Sequence, residues 1–149
     1  MINSVLVVCT GNICRSPMVE GLLKAFFPEL NVMSAGLAAL MGRAPDPIAI
    51  EIMADRRVDI ADHRARQLES WMCKEFDLVL VMEMEQKRAL EARFPFARGK
   101  VFRLCEADGS DVPDPYKRGR RAFELALEAA EFGVNAWRSK LERVAHVWQ

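Results

Sequence analysis

Histidine and tyrosine are scarce in this chain: of 149 residues, two are histidine, His63 and His146, and one is tyrosine, Tyr116. No CxxC pair occurs and neither histidine shows ligand spacing, so no metal site is expected. The apolar run in the opening MINSVLVV is far shorter than the roughly 20 residues a membrane span needs. It also lacks the charged start and small-residue cleavage site of a secretory signal, so a cytoplasmic protein without membrane insertion is expected. Net charge is zero, with 21 Lys and Arg against 21 Asp and Glu. With no long run of either sign, a strong pull toward nucleic acid or anionic membrane is excluded. Any basic site must be local.

Cysteine is sparse but suggestively placed. The chain has four, Cys9, Cys14, Cys73 and Cys105, and the first two share one short loop. In a reducing compartment that placement points to chemistry rather than to structural disulfides. A hydrophobic content of 51% over this length predicts one globular domain, residues 1–149, with a substantial core and no linker.

The organising stretch is VLVVCTGNICRSP, residues 5–17. Ser4 to Val8 is apolar and β-branched, as in a buried strand, and Cys9 closes it. Ser16 followed by Pro17 predicts an N-cap serine with proline at the first helical position. The loop between contains Gly11, and Asn12, which tolerates a left-handed backbone. Such a loop turns successive N–H groups inward as an anion-binding nest, and the following helix adds its positive end. A phosphate fits there. Arg15 clamps two of its oxygens with a planar fork, and Cys9, at the same positive end, is placed as a nucleophile beside the phosphorus it would attack.

Met18 to Phe27 has helical periodicity and stops at Pro28, and Asn31 to Ala35 reads as a second strand. Strand, helix and strand in succession make a right-handed βαβ unit, hence a parallel α/β sheet with its ligands at the carboxyl ends of strands. Ser34-Ala35-Gly36 ends that strand. Leu40 and Met41 then sit in a loop, either tucked into the core or walling the phosphate loop. Asp46-Pro47 starts a helix to about Arg56, and a short helix ends near Lys74. Phe76 to Met82 is the third strand and Lys100 to Leu104 the fourth. Glu83 to Phe94 is helical, with Glu83 and Lys87 at supporting i,i+4 spacing. A long amphipathic helix follows from Gly119 to Val147, with Phe123, Leu127, Ala130, Val134, Trp137, Leu141 and Val144 on one face and Gly133 as a point of softening or bending.

The second informative stretch is CEADGSDVPDPYKR, residues 105–118. It leaves the carboxyl end of a strand, on the same edge as Cys9, and Pro113 and Pro115 brace Asp114. Cleavage of a phosphate ester needs a proton for the leaving oxygen, which a fixed carboxylic acid supplies. Asp108 and Asp111 are alternatives without such bracing. Tyr116 is placed to stack on an aromatic substrate or simply to pack.

VCTGNICRSP, SAG, DHRARQL, FDLVLVME and DPY, in this order along nearly the whole chain, resemble the low-molecular-weight protein tyrosine phosphatases. SAGLAALMGRAPDP further resembles the bacterial branch linked to capsule and exopolysaccharide export, whose partner is a membrane tyrosine autokinase. The resemblance implies a single three-layer α/β domain with a four-stranded parallel twisted sheet, order 2-1-3-4, helices on both faces, no cofactor and a monomer. It implies Cys9 as nucleophile through a phosphocysteine intermediate, Arg15 as phosphate clamp and Asp114 as general acid then base. Thr10, Gly11, Asn12, Ile13, Cys14, Ser16, Leu40 and Tyr116 match substrate-binding positions, with Ser16 donating to the thiolate. Asn12, Ser34 and His63 match a network that props the loop, and Cys14 matches a second loop cysteine that traps an oxidised Cys9 as a reversible disulfide. Relatives often have an aromatic residue where this chain has Leu40, and two tyrosines where it has Tyr116 then Lys117.

Two other readings use the same loop. An arsenate reductase would relay a disulfide through Cys73 and Cys105 and has no need of Asp114. A silent phosphotyrosine-binding module has no reason to keep nucleophile and acid together.

Overall fold

A computed structural model describes residues 1–142 of the chain. Four strands, β1 (Ser4–Cys9), β2 (Asn31–Gly36), β3 (Leu78–Val81) and β4 (Val101–Arg103), form one parallel sheet in the order β2-β1-β3-β4. β1 is central. Its residues alternate between two cores: Val5 and Val7 face one with α1 (Arg15–Phe26), α2 (Pro47–Asp55) and α5 (Arg120–Leu141), while Leu6 and Val8 face the other with α3 (Ser70–Glu75) and α4 (Met84–Arg93). Burial on both faces is why β1 and β3 read as unbroken apolar runs rather than alternating ones.

The chain leaves β1 toward β2 on one side and returns to β3 on the other. That reversal opens a crevice beyond the carboxyl end of β1, the place where ligands sit in open parallel sheets. Cys9 is the last residue of β1.

Several boundaries differ from the sequence expectation. α1 starts at Arg15, not Met18, with Cys14 at its N-cap and no side-chain cap. Ser16 therefore lies inside the first turn, fully buried, its hydroxyl spent on Cys9 and Asn12 instead of on backbone N–H groups. Pro17 still fits, because the first four N–H groups of a helix have no partner within it. β3 and β4 are shorter than expected: α3 hands over through Phe76, and the Met82 N–H is taken by the Gln86 side chain. Glu83 and Lys87 do not pair. Glu83 turns to Arg15, and the Lys87 ammonium stands 5.6 Å from the Phe102 ring centroid.

α5 runs unbroken through Gly133, which is a contact rather than a hinge: a Cβ there would lie 2.7 Å from Leu104 Cγ and 3.0 Å from Cys105 Sγ. Phe123, Leu127, Ala130, Val134 and Leu141 are buried as expected, and half-buried Trp137 donates from Nε1 to the Leu104 carbonyl at 2.8 Å. The expected extension to Val147, with Val144, lies outside the described residues. Among those residues no helix is long and apolar enough to cross a membrane.

Candidate active site

Cys9, at the end of β1, and Arg15, at the start of α1, are joined by a loop whose geometry hangs on Asn12. Its φ is +61°, the left-handed region that asparagine tolerates better than most residues. Fully buried, Asn12 donates from Nδ2 to Ser16 Oγ at 2.8 Å and to Ser34 Oγ at 3.0 Å, while its Oδ1 accepts the Arg66 N–H at 2.9 Å. The His63 Nε2 lies 2.9 Å from the Asn12 carbonyl oxygen, which can only accept, so that nitrogen carries the proton. A side chain at Gly36 is barred, since its Cβ would lie 2.5 Å from the Thr10 carbonyl oxygen.

The direction of the hydroxyl protons follows. Ser34 accepts from Asn12 and gives its own proton to Glu20 Oε1. Ser16 accepts from Asn12, which leaves its proton free for Cys9 Sγ, 2.9 Å away. The Asn12 amide thus donates in two directions, through Ser16 to the sulfur of Cys9 and through Ser34 to the Glu20 carboxylate, and the first arm places a donor on the sulfur. Burial, the largest influence, lowers the pKa of His63, while the Asn12 carbonyl and Glu20 act against it.

Arg15 is 3% exposed and held from behind, its Nη1 donating to Glu83 Oε2 and, at 2.8 Å, to the Val112 carbonyl. Its Nη2 is 3.9 Å from Asp114 Oδ2. The cavity in front, about 200 Å³, is lined by Cys9, Thr10, Gly11, Ile13, Cys14 and Arg15 from the loop, and by Ala38, Leu40, Asp114 and Tyr116 around it. Asn12 and Ser16 are not part of that lining; they lie behind it, with Ser34 and His63, in the network just described. Leu40 walls the cavity and also packs, half-buried, against the core, whereas Met41 does neither, being 70% exposed.

Asp114 accepts the Tyr116 N–H on Oδ1 at 3.1 Å, and Pro115 behind it is buried. Asp111 is engaged elsewhere, by Met84 N and Arg103, and Asp108 by the Ser110 hydroxyl. Burial, reinforced by Asp46, Cys9 and Asp114, pushes the pKa of Cys14 up. Cys73 and Cys105 are buried on opposite sides of the sheet and neither lines the cavity, so they do not form a relay from Cys9. Among the described residues no group of three His, Cys, Asp or Glu is placed to hold a metal ion.

Sequence reasoning missed Glu20, Glu83 and Gln86. Glu20 had a signal, being four residues after Ser16 on α1 and hence on the same face. Glu83 and Gln86 follow β3, which pairs with β1; Gln86 donates to Thr10 Oγ1 at 3.1 Å and so ties the loop to α4.

Fold and site together define an α/β protein with a cysteine and an arginine on one short loop at the carboxyl end of a parallel sheet. The sequence matches the family model described as low molecular weight phosphotyrosine protein phosphatase over residues 4–146, and the chain belongs to that family. It is thus a hydrolase of the protein-tyrosine-phosphatase class. It is 48% identical over 137 residues, 92% of this chain and 94% of the relative, to the "Probable low molecular weight protein-tyrosine-phosphatase EpsP" of Ralstonia nicotianae. The crystal structure of the Erwinia amylovora tyrosine phosphatase AmsI superposes with a TM-score of 0.91 at 41% identity, covering 96% of this chain and 95% of that one. The Vibrio vulnificus Wzb in complex with benzylphosphonate gives the same TM-score and identity, covering 95% of this chain and all (100%) of that one.

Proposed function

We propose that the protein hydrolyses phosphotyrosine through a phosphocysteine intermediate. The observation that carries the proposal is the convergence of Cys9, Arg15 and Asp114 on one cavity, with apolar Leu40 and Ile13 and the Tyr116 ring around it. The phosphoryl group sits in the loop, its oxygens taken by Arg15 and by the N–H groups of residues 10–15, with the tyrosine ring between Leu40 and Tyr116. The Vibrio relative is solved in complex with benzylphosphonate, an aromatic phosphonate, which supports a site for an aromatic group bearing a phosphoryl.

In the first step the Cys9 Sγ–P bond forms as the P–O bond to tyrosine breaks, and Asp114 protonates the departing oxygen. In the second, water attacks phosphorus, Asp114 takes its proton, and the S–P bond breaks to release inorganic phosphate. Arg15 and the loop amides stabilise the charge on the equatorial oxygens throughout, and Ser16 supplies a proton-donor contact to the leaving thiolate. Glu83 and the Val112 carbonyl already hold the Arg15 fork in place, so its engagement with the phosphate costs little side-chain entropy. Cys14, the second loop cysteine, captures an oxidised Cys9 as a reversible disulfide.

We infer further a cytoplasmic monomer whose substrate is the phosphotyrosine of a membrane tyrosine autokinase controlling exopolysaccharide export. The resemblance to the EpsP, AmsI and Wzb proteins supports this reading. The test is hydrolysis of p-nitrophenyl phosphate and a phosphotyrosine peptide across pH in the presence of a chelator. Turnover by the reduced protein that vanishes in Cys9→Ser is expected; full activity in that variant overturns the scheme.

A further inference from the structure

The basic stretch after Asp114, YKRGRR at residues 116–121, divides in two. Arg120 is engaged by Glu51, Asp55 and Glu124, and Arg121 by Glu124 and Glu128. Lys117 and Arg118 are exposed and have no carboxylate partner among the described residues. The unpaired half is the one that adjoins the cavity.

Lys117 is held there by its backbone. Its φ is +61°, a left-handed conformation unfavourable for a lysine and sustained only where the surroundings impose it. The turn that imposes it is built from the Asp114 carboxylate accepting the Tyr116 N–H and from the Arg118 N–H donating to the Pro115 carbonyl at 3.0 Å. The consequence is that the Lys117 ammonium lies over the Tyr116 ring, 5.3 Å from its centroid. That ring is part of the cavity wall. A cation without a counter-ion is thus fixed at the lip where a peptide carrying the phosphotyrosine must emerge. The same lip carries Asp114, 54% exposed, which by itself would repel an acidic peptide.

We propose that Lys117 is a specificity-determining residue: its ammonium pairs with a carboxylate next to the phosphotyrosine, so acidic phosphotyrosine peptides are preferred. The proposal rests on the phosphotyrosine reading above and adds the chemical class of the substrate's flanks. The pair forms at an exposed lip, so its effect is modest and sensitive to salt.

The test compares kcat/KM for two phosphotyrosine peptides identical except for Glu or Gln on both sides of the phosphotyrosine, with p-nitrophenyl phosphate alongside. The intact protein is expected to favour the Glu peptide by about threefold at low salt, with the ratio falling toward unity as salt rises. Lys117→Met and Lys117→Asn abolish the preference, Asn being included because it accepts the left-handed backbone; Lys117→Arg retains it. Equal use of the two peptides by the intact protein, or a preference that survives in both neutral variants, overturns the proposal. Absence of nitrophenyl phosphate turnover by the intact protein overturns instead the phosphatase reading on which it rests.

Discussion

The loop from Cys9 to Ser16 and the loop from Asp111 to Lys117 meet at one cavity but are built in opposite ways. In the first, six of the eight residues are buried, and most polar side chains have a named partner: Asn12 alone engages Ser16, Ser34, Arg66 and His63. In the second, Asp114 and Lys117 are exposed, and one short backbone turn holds the carboxylate. The difference follows from the chemistry each is proposed to do. Binding a phosphoryl group needs donors that do not reorganise as charge develops, whereas delivering and recovering a proton needs a group that water and product can reach. Mutations that damage the first loop should therefore cost both fold and activity, and those in the second should cost activity alone.

The sharpest break in that contrast is Cys9→Ser, which removes the proposed nucleophile without removing the cavity. Turnover should fall by about 10⁴-fold or more in a steady-state assay. Asp114→Asn should lower kcat on a phosphotyrosine peptide by about 10²-fold, less on the nitrophenyl ester because its leaving group needs less protonation. Its melting temperature should barely move, since an exposed substitution of this kind changes stability by less than about 0.5 kcal/mol. Asn12→Ala is the counterpart in the buried loop. It strands the Arg66 N–H and two hydroxyls and leaves alanine at positive φ, so a loss of about 2–3 kcal/mol by denaturant unfolding is expected together with lost activity. A silent Asn12→Ala, or a strongly destabilised Asp114→Asn, would erase the distinction between the loops.

The smallest expected effect lies at the far end of the sheet and serves as a control. The Asp77 carboxylate accepts the Asn3 N–H at 2.7 Å and the Ser4 N–H at 3.2 Å, which holds its pKa below the ordinary value. The folded pKa is depressed, so this contribution to stability is present above the unfolded pKa and is lost as pH falls through the folded one. Asp77→Asn should flatten the acid limb of a stability-against-pH curve slightly and leave phosphatase turnover as it was.

Much of this was legible in order along the chain. The apolar run before Cys9, the Gly-Asn turn, and the returning helix and strand are local signals, and they place the cysteine and arginine at the carboxyl edge of a parallel sheet. The position of Asp114 on the same edge follows from its place after β4. The N-cap reading of Ser16 fails, because Ser-Pro at a helix start is a good local cap signal whereas the hydroxyl points at sulfur, the contact the family resemblance implied. Glu83 was misread for a similar reason: the spacing to Lys87 is a helix rule, but the β1–β3 pairing brings Arg15 closer.

Sequence by itself therefore determined the α/β class, the strand-loop-helix that carries Cys9 and Arg15, and the placing of Asp114 on the same sheet edge, since strand periodicity, turn chemistry and residue type are properties of short segments. Tertiary structure alone decided which carboxylates hold the loop and its arginine, that Met41 faces solvent, and that Lys117 rests on Tyr116. Those contacts join residues far apart in the chain or set by a single backbone angle. Their free energy comes from burial and pairing that no local pattern encodes.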